Sequence, residues 1–291
     1  MRDLDEHTIT EAVLEKVIQE GTPRQKQISE AVVRHLHALC KELEPTEEEW
    51  SQAIDFLTRT GRMCSDTRQE FILLSDALGV SMLVDAINHR NPQGATETTI
   101  FGPFYVEAAP EVESGADIRG ALDGEDFLVQ GRITDSEGAP VAGAIVDLWH
   151  SDEDGYYDVQ LDATHLGGRG RVVTDKDGAF HVWSVLPVHY PIPHDGPVGQ
   201  MLQVQGRHPY RPAHVHFMIR ADGYRRLVTH LFLEGSEYLD SDAVFGVKES
   251  LIRPVEPMPA GTTPTGEEHP RPYRLLRADL RLAAATAPAG S

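Results

Sequence analysis

The sequence predicts an all-β core, a β-sandwich, preceded by a bundle of N-terminal helices. From Thr8 to about Asn88 the apolar residues recur at helical spacing, as Ile28, Val32, Leu36, Leu39 and Leu43 do. Beyond that stretch, short runs rich in β-branched and aromatic residues alternate with the Gly and Asp clusters of tight turns. Helices first and many strands afterwards argue for two successive domains, residues 1–98 and 99–291. The end of the second, residues 280–291, is expected to form a flexible tail.

The helical part divides at its own stop and start signals. "EGTPRQ" ends one helix and opens a second with Pro23 in its first turn, and Thr46 stands three residues before Glu49, the spacing of a capping box. A third helix is expected over "SQAIDFLTRTGRM" and a fourth over "TRQEFILLSDALGVSMLVDAINH". The fourth is apolar around most of its circumference, which predicts burial on several sides, between a second domain and a partner subunit. In the second domain the expected strands are "FLVQGRI", "AIVDLWH", "RVVTD", "AFHVWSVL", "AHVHFMIRA" and "RLVTHLFLEG", separated by "DSEGAP", "DKDG", "ADGY" and similar turns.

Charge and composition exclude several classes of function. The 291 residues carry 26 basic against 46 acidic side chains, and the net charge of −20 repels nucleic-acid backbones and anionic membrane surfaces. No segment supplies the roughly 18 apolar residues of a membrane span, and the acidic start "MRDLDEHTITEAVLEKVIQE" does not read as a signal peptide. The expected location is cytoplasmic. Cys40 and Cys64 lack the pairing of a zinc site or a disulfide framework and are expected to be reduced and buried.

The strongest chemical signal lies in "GRHPYRPAHVHFMIRADGY", residues 206–224. Side chains at i and i+2 of a strand share a face, so His214 and His216 point one way while Ala213, Val215 and Phe217 point the other. Two imidazoles aimed at one point suit a metal ion; two unrelated surface histidines are the alternative. "LPVHYPIPHDGP" brings Tyr190 from a proline-stiffened loop, and "HSDEDGYYD" brings Tyr156 and Tyr157 from the end of a strand. A phenolate is a hard anionic oxygen that suits ferric iron, although any one tyrosine taken singly also reads as a core residue with its hydroxyl bonded.

In order and separation, "DGYYD", "YPIPHDGP" and "GRHPYRPAHVHF" resemble the iron-ligand motifs of the intradiol ring-cleaving dioxygenases, and "TIFGPFYVEAAP" resembles the loop before their sandwich. The resemblance runs from about Glu70 to Leu280, and the N-terminal helices resemble those of the catechol and hydroxyquinol branch. It implies one Fe(III) per subunit held by Tyr157, Tyr190, His214 and His216, with Tyr190 leaving the metal as substrate binds. Arg211 would stabilise charge that develops on the ring, an ordinary surface ion pair being the other reading. Tyr156 stands where relatives often have phenylalanine and is assigned to packing. Leu73, Asp76, Ile100, Phe101, Gly102, Phe104 and Ile192 take the positions that line the substrate pocket. His230 stands where many catechol-cleaving relatives have glutamine, and is read as lying behind the ligands. The resemblance also implies a homodimer through the N-terminal helices, with a phospholipid bound along the shared axis.

The reaction implied is opening of an aromatic diol or triol between its adjacent hydroxyls, with both atoms of O2 incorporated. An acid at Asp76, where catechol-cleaving enzymes tend to be apolar, could accept a hydrogen bond from a further ring hydroxyl. That favours hydroxyquinol, benzene-1,2,4-triol, with 3-hydroxy-cis,cis-muconate, the enol form of maleylacetate, as product; a solvated helix residue is the other reading of Asp76. "LLSDALGVSMLVD" and "YLDSDAVFGVKESL" resemble the same branch, and catechol or chlorocatechol cleavage is the runner-up. Two rivals come from other classes. One is a binding sandwich without metal, and the other a zinc hydrolase that completes H-x-H with Asp195 or Glu234.

Overall fold

The computed structural model describes residues 2–17, 19–65, 68–90, 94–107, 109–161 and 167–285. The chain divides into two compact units, Met1–Arg59 and Thr60–Ser291. In the first, α1 (Ile9–Val17) packs on α2 (Pro23–Leu43), and α3 (Glu47–Arg62) runs across the boundary. The starts of α2 and α3 follow from side-chain chemistry. Thr22 accepts the Gln25 amide, Gln25 accepts the Thr22 amide in return, and Pro23 fills a position whose N–H would have had no partner. Thr46 and Glu49 form the same reciprocal pair ahead of α3.

α2 has no buried residue among those described, and Ile28, Val32, Leu36, Leu39 and Leu43 lie exposed along it. The expectation for the cysteines is corrected on this ground. Cys40 is exposed because its helix buries nothing within the chain, Cys64 is half-buried, and both thiols are free.

The expected fourth helix is two, α4 (Glu70–Ala77) and α5 (Val80–Asn88), parted at Gly79, whose φ of 72° lies in the left-handed region that breaks a helix. Its burial on several sides is not met within the chain. α4 buries Leu73, Asp76 and Ala77, whereas α5 buries Asp85 and exposes Val80, Leu83, Val84 and Ile87. α4 packs on α7 (Pro197–Val204), and a further short helix of the second unit is α6 (Asp158–Leu161).

The strands of the second unit are β1 (Asp126–Asp135), β2 (Ile145–Trp149), β3 (Arg169–Val173), β4 (Ala179–Val185), β5 (Tyr190–Pro191), β6 (Tyr210–Arg211), β7 (His214–Arg220), β8 (Leu227–Leu233), β9 (Ile252–Arg253), β10 (Val255–Met258), β11 (Gly261–Thr262), β12 (Glu268–His269), β13 (Tyr273–Arg277) and β14 (Leu280–Leu282). Each of the strands expected from the sequence is present. One sheet is ordered β10-β13-β1-β14, with β4 on the other edge of β1, and the second β3-β2-β7-β8-β9. Gly131 of β1 passes so close to Ala278, between β13 and β14, that a Cβ would sit 2.1 Å from the Ala278 carbonyl oxygen.

Between the sheets, Phe127, Val129 and Ile133 of β1, Val146 and Leu148 of β2, Val215, Phe217 and Ile219 of β7 and Leu231 of β8 form one core. Burial of each such side chain contributes about 1.5–3 kcal/mol, so a one-residue slip of β7, which would turn its imidazoles inward, is strongly disfavoured. The expected tail is corrected at its start. Leu280 and Leu282 are buried and pair with Ile133 and Asp135 of β1, because the Leu-Arg-Leu alternation suits a half-buried strand. Residues 286–291 lie outside the described residues.

Candidate metal centre

With Val215, Phe217 and Ile219 committed to the core, β7 turns His214, His216 and Met218 to its opposite face. Register sets their neighbours. His216 stands across from Trp149 of β2 and His230 of β8, and His214 across from Phe232. The Trp149 ring stacks on His216 at 4.7 Å and 12°. Tyr190 arrives on β5, opposite Arg211 on β6. Tyr157 follows a turn at Gly155, where a Cβ would sit 2.7 Å from that of Tyr190.

These four residues are buried and their polar ends converge. The Tyr157 hydroxyl lies 3.0 Å from His216 Nε2, 3.3 Å from the Tyr190 hydroxyl and 3.5 Å from His214 Nε2. The Tyr190 hydroxyl is 3.5 Å from His214 Nε2, and the two Nε2 atoms are 3.1 Å apart.

His214 donates from Nδ1 to the Pro212 carbonyl at 2.7 Å, and Arg211 Nη1 approaches its Nε2 at 3.3 Å. A guanidinium only donates, so that Nε2 carries a lone pair. Burial, and then the Arg211 charge, hold His214 well below the ordinary imidazole range. Burial does the same to His216, followed by His214 and Arg211. Among the described residues His216 Nδ1 has no hydrogen-bond partner, although it is buried. Both phenols are pushed up by burial, Tyr157 well above the usual range.

Arg211 is buried and pairs with Asp242, Nε to Oδ1 at 3.0 Å. Burial by itself would lower the guanidinium; Asp242 and the two phenols more than reverse this and keep it charged. Arg211 Nη2 also reaches His230 Nδ1 at 3.4 Å, which places the His230 proton on Nε2. Among the described residues His214, His216 and His230 form a buried cluster with ligand atoms within 4.8 Å of one another. Support from the other side comes from Phe104, stacked on Tyr157 at 4.6 Å and 25°. The buried Asp158–Arg169 pair, in which Arg169 also donates to the Phe104 carbonyl at 3.1 Å, ties that loop to the Tyr157 turn.

Of the expected pocket residues, Leu73, Ile100 and Ile192 share an apolar cluster with Val244. Asp76, Ile100, Phe101 and Gly102 line a cleft of 770 Å³. Phe101 packs on Tyr105 at 4.6 Å, and a Cβ on Gly102 would sit 3.0 Å from His216 Cε1. Asp76 is 3% exposed, which removes the reading of a solvated helix residue. Burial raises its carboxyl, against a bond from Ser81 and the pull of Arg211. Tyr156, assigned to packing, is instead half exposed, while Tyr157 beside it is buried. Asp195 is taken by Arg68 at 2.8 and 3.0 Å. Sequence reasoning missed Asp242, Val244, Trp149 and Arg169. The one available hint was "DAVFG", an acid and a glycine closing a turn around an apolar pair.

Two histidines on one face of β7 thus meet Tyr157 from the loop after β2 and Tyr190 from β5, a donor set that could hold a metal ion. The family profile described as dioxygenase matches residues 100–273, and that described as catechol dioxygenase N terminus matches residues 22–96. The chain belongs to this intradiol dioxygenase family. It is 53% identical over 253 residues to the 6-chlorohydroxyquinol 1,2-dioxygenase of Cupriavidus pinatubonensis, covering 87% of this chain and 92% of the relative. It is 48% identical over 281 residues to the hydroxyquinol 1,2-dioxygenase of Nocardioides simplex, covering 96% of both. The crystal structure of hydroxyquinol 1,2-dioxygenase from Pseudomonas putida DLL-E4 superposes with a TM-score of 0.90 at 49% identity, covering 96% of this chain and 99% of the other.

Proposed function

We propose that the chain is an Fe(III)-dependent intradiol dioxygenase that opens hydroxyquinol to 3-hydroxy-cis,cis-muconate, the enol form of maleylacetate. The observation that carries the reading is the convergence of Tyr157, Tyr190, His214 and His216, with the buried Asp76 in the cleft that Gly102 shares, a Cβ on which would sit 3.0 Å from His216. The five donor–donor contacts of 3.0–3.5 Å leave the four polar ends close enough to share one ion. The donor chemistry fits as well: two neutral imidazoles present nitrogen, and two buried phenols, costly to ionise alone, become favourable anions beside a trivalent cation. When bound, such an ion supplies Lewis acidity toward the two adjacent hydroxyls of the substrate.

The chain's own residues would do the rest. Tyr190, ionised when it holds the ion, would take a substrate proton at its phenolate oxygen, next to Arg211 on the paired strand. Arg211, kept cationic by Asp242, stabilises negative charge on the ring. Asp76 accepts the third hydroxyl, while Leu73, Ile100, Phe101, Gly102, Phe104 and Ile192 shape the pocket and keep water out. His230 orients Arg211 from behind. The names of the relatives at 48–53% identity support the triol.

The exposed apolar stripe of α2 supports a homodimer through the N-terminal helices of residues 1–98, whose shared face would also suit phospholipid acyl chains. No described helix is long and apolar enough to cross a membrane, and a cytoplasmic setting fits a diffusible aromatic substrate.

Metal analysis, the visible absorption of iron phenolates, and oxygen uptake with hydroxyquinol, catechol and 4-chlorocatechol test the proposal together. One iron per chain and fastest uptake with the triol are expected. Zinc or no metal in the active protein overturns the centre, and equal consumption of catechol overturns the role of Asp76.

A further inference from the structure

The turn after Tyr238 holds a carboxylate with more to do than neutralise a cation. Asp242 is buried. Its Oδ1 accepts from Arg211 Nε at 3.0 Å and from the Val244 amide at 3.3 Å; its Oδ2 accepts from the Gly246 amide at 2.9 Å and from Arg211 Nη2 at 3.3 Å. One side chain thus clamps the guanidinium and closes the turn of residues 242–246.

Both halves of that clamp lead into the site. With Nε and one edge of Nη2 engaged by Asp242, the guanidinium turns Nη1 to His214 and Nη2 to His230. The turn in its own right puts Val244, 1% exposed, into the apolar cluster with Leu73, Ile100 and Ile192. Arg207 bridges the Ala243 carbonyl at 2.9 Å to the Ala77 carbonyl at 2.7 Å, next to Asp76 on α4. The fit is tight. Phe245 adopts a φ of 59°, a left-handed conformation that a phenylalanine keeps only when its surroundings impose it, and a Cβ on Gly246 would sit 3.1 Å from both Arg211 Nη2 and Asp242 Oδ2.

We propose that Asp242 is a positioning residue that sets, with the same carboxylate, the Arg211 guanidinium and, through Val244, the apolar cluster of Leu73, Ile100 and Ile192, so that turnover and preference for a triol over a diol depend on it together. This rests on the diphenol-cleaving reading of the site. A carboxylate serving stability alone would leave kcat and substrate preference where they are once the protein is folded.

The test compares the parent with Asp242→Asn and Gly246→Ala, the second displacing the guanidinium without removing its partner. Measured are kcat and KM for hydroxyquinol and catechol, bound iron per chain, and the denaturation midpoint. Iron per chain is expected to stay at the parent value while kcat for the triol falls about 10–100-fold, the scale of losing an oriented charge-stabilising group. The triol-to-catechol ratio of kcat/KM is expected to fall about 5-fold or more, as for a shifted pocket wall. Gly246→Ala shows the same two changes at smaller amplitude and decides the matter if Asp242→Asn does not fold. A lowered midpoint with parent kcat and parent ratio overturns the role. A parent protein that turns over no diphenol refutes the function itself, and with it this role.

Discussion

Gly155→Ala adds one methyl group where the chain has no room for it. At a φ of 87° an L-residue other than glycine is strained by about 1–2 kcal/mol. The new Cβ would lie 2.7 Å from Tyr190 Cβ, 3.3 Å from the His189 carbonyl oxygen and 3.4 Å from Tyr190 Cα. Carbon atoms settle at about 3.5–4.0 Å, so the two-residue strand β5 must retreat by about 1 Å. Such overpacking costs about 1–3 kcal/mol, for a total of about 2–5 kcal/mol. Tyr190 moves with its strand, and its contacts of 3.3 Å to Tyr157 and 3.5 Å to His214 open. A displacement of that size at a reacting group costs about 100-fold in rate. Urea denaturation, the visible absorption band and oxygen uptake with hydroxyquinol should all change, with the midpoint lowered and the band weakened or shifted. A variant with the parent midpoint, band and rate would refute the reasoning that the Gly155 turn sets the position of Tyr190.

Two further outcomes are expected. Asp76→Leu removes a buried carboxylate from the cleft and should lower kcat/KM for hydroxyquinol about 10–100-fold while sparing catechol; equal losses on both substrates would contradict its bond to the third hydroxyl. His150 is pushed down to about 4 by burial, from the ordinary 6.5, and donates to the Ser151 carbonyl while accepting from Ser184. Between those values the unfolded chain binds a proton that the folded chain refuses. Its contribution is therefore fully present above pH 6.5 and is lost as pH falls toward 4, by about 3 kcal/mol. Urea unfolding of His150→Asn across that window should show a shallower pH slope than the parent, and an unchanged slope would count against it.

Features whose cause lies within a few residues were legible before any coordinates. The helix start at "EGTPRQ", the capping box at Thr46–Glu49, the alternation that sends His214 and His216 to one face and Val215 and Phe217 to the other, and the glycine-bearing turns between strands are set by local chemistry. The ordered motifs around Tyr157, Tyr190 and His214 made the family recognisable for the same reason. Tertiary structure decided whatever depends on partners distant in the chain. His230 lies against His216 because β8 pairs with β7 in the register that opposes the two, and Asp242 reaches Arg211 because its turn folds back against β6. The helix break at Gly79, the pairing of Leu280–Leu282 with β1 and the exposure of the α2 stripe were likewise misread or invisible. Apolar spacing states that a face will be covered, but only the packing of other elements, or of another chain, states by what.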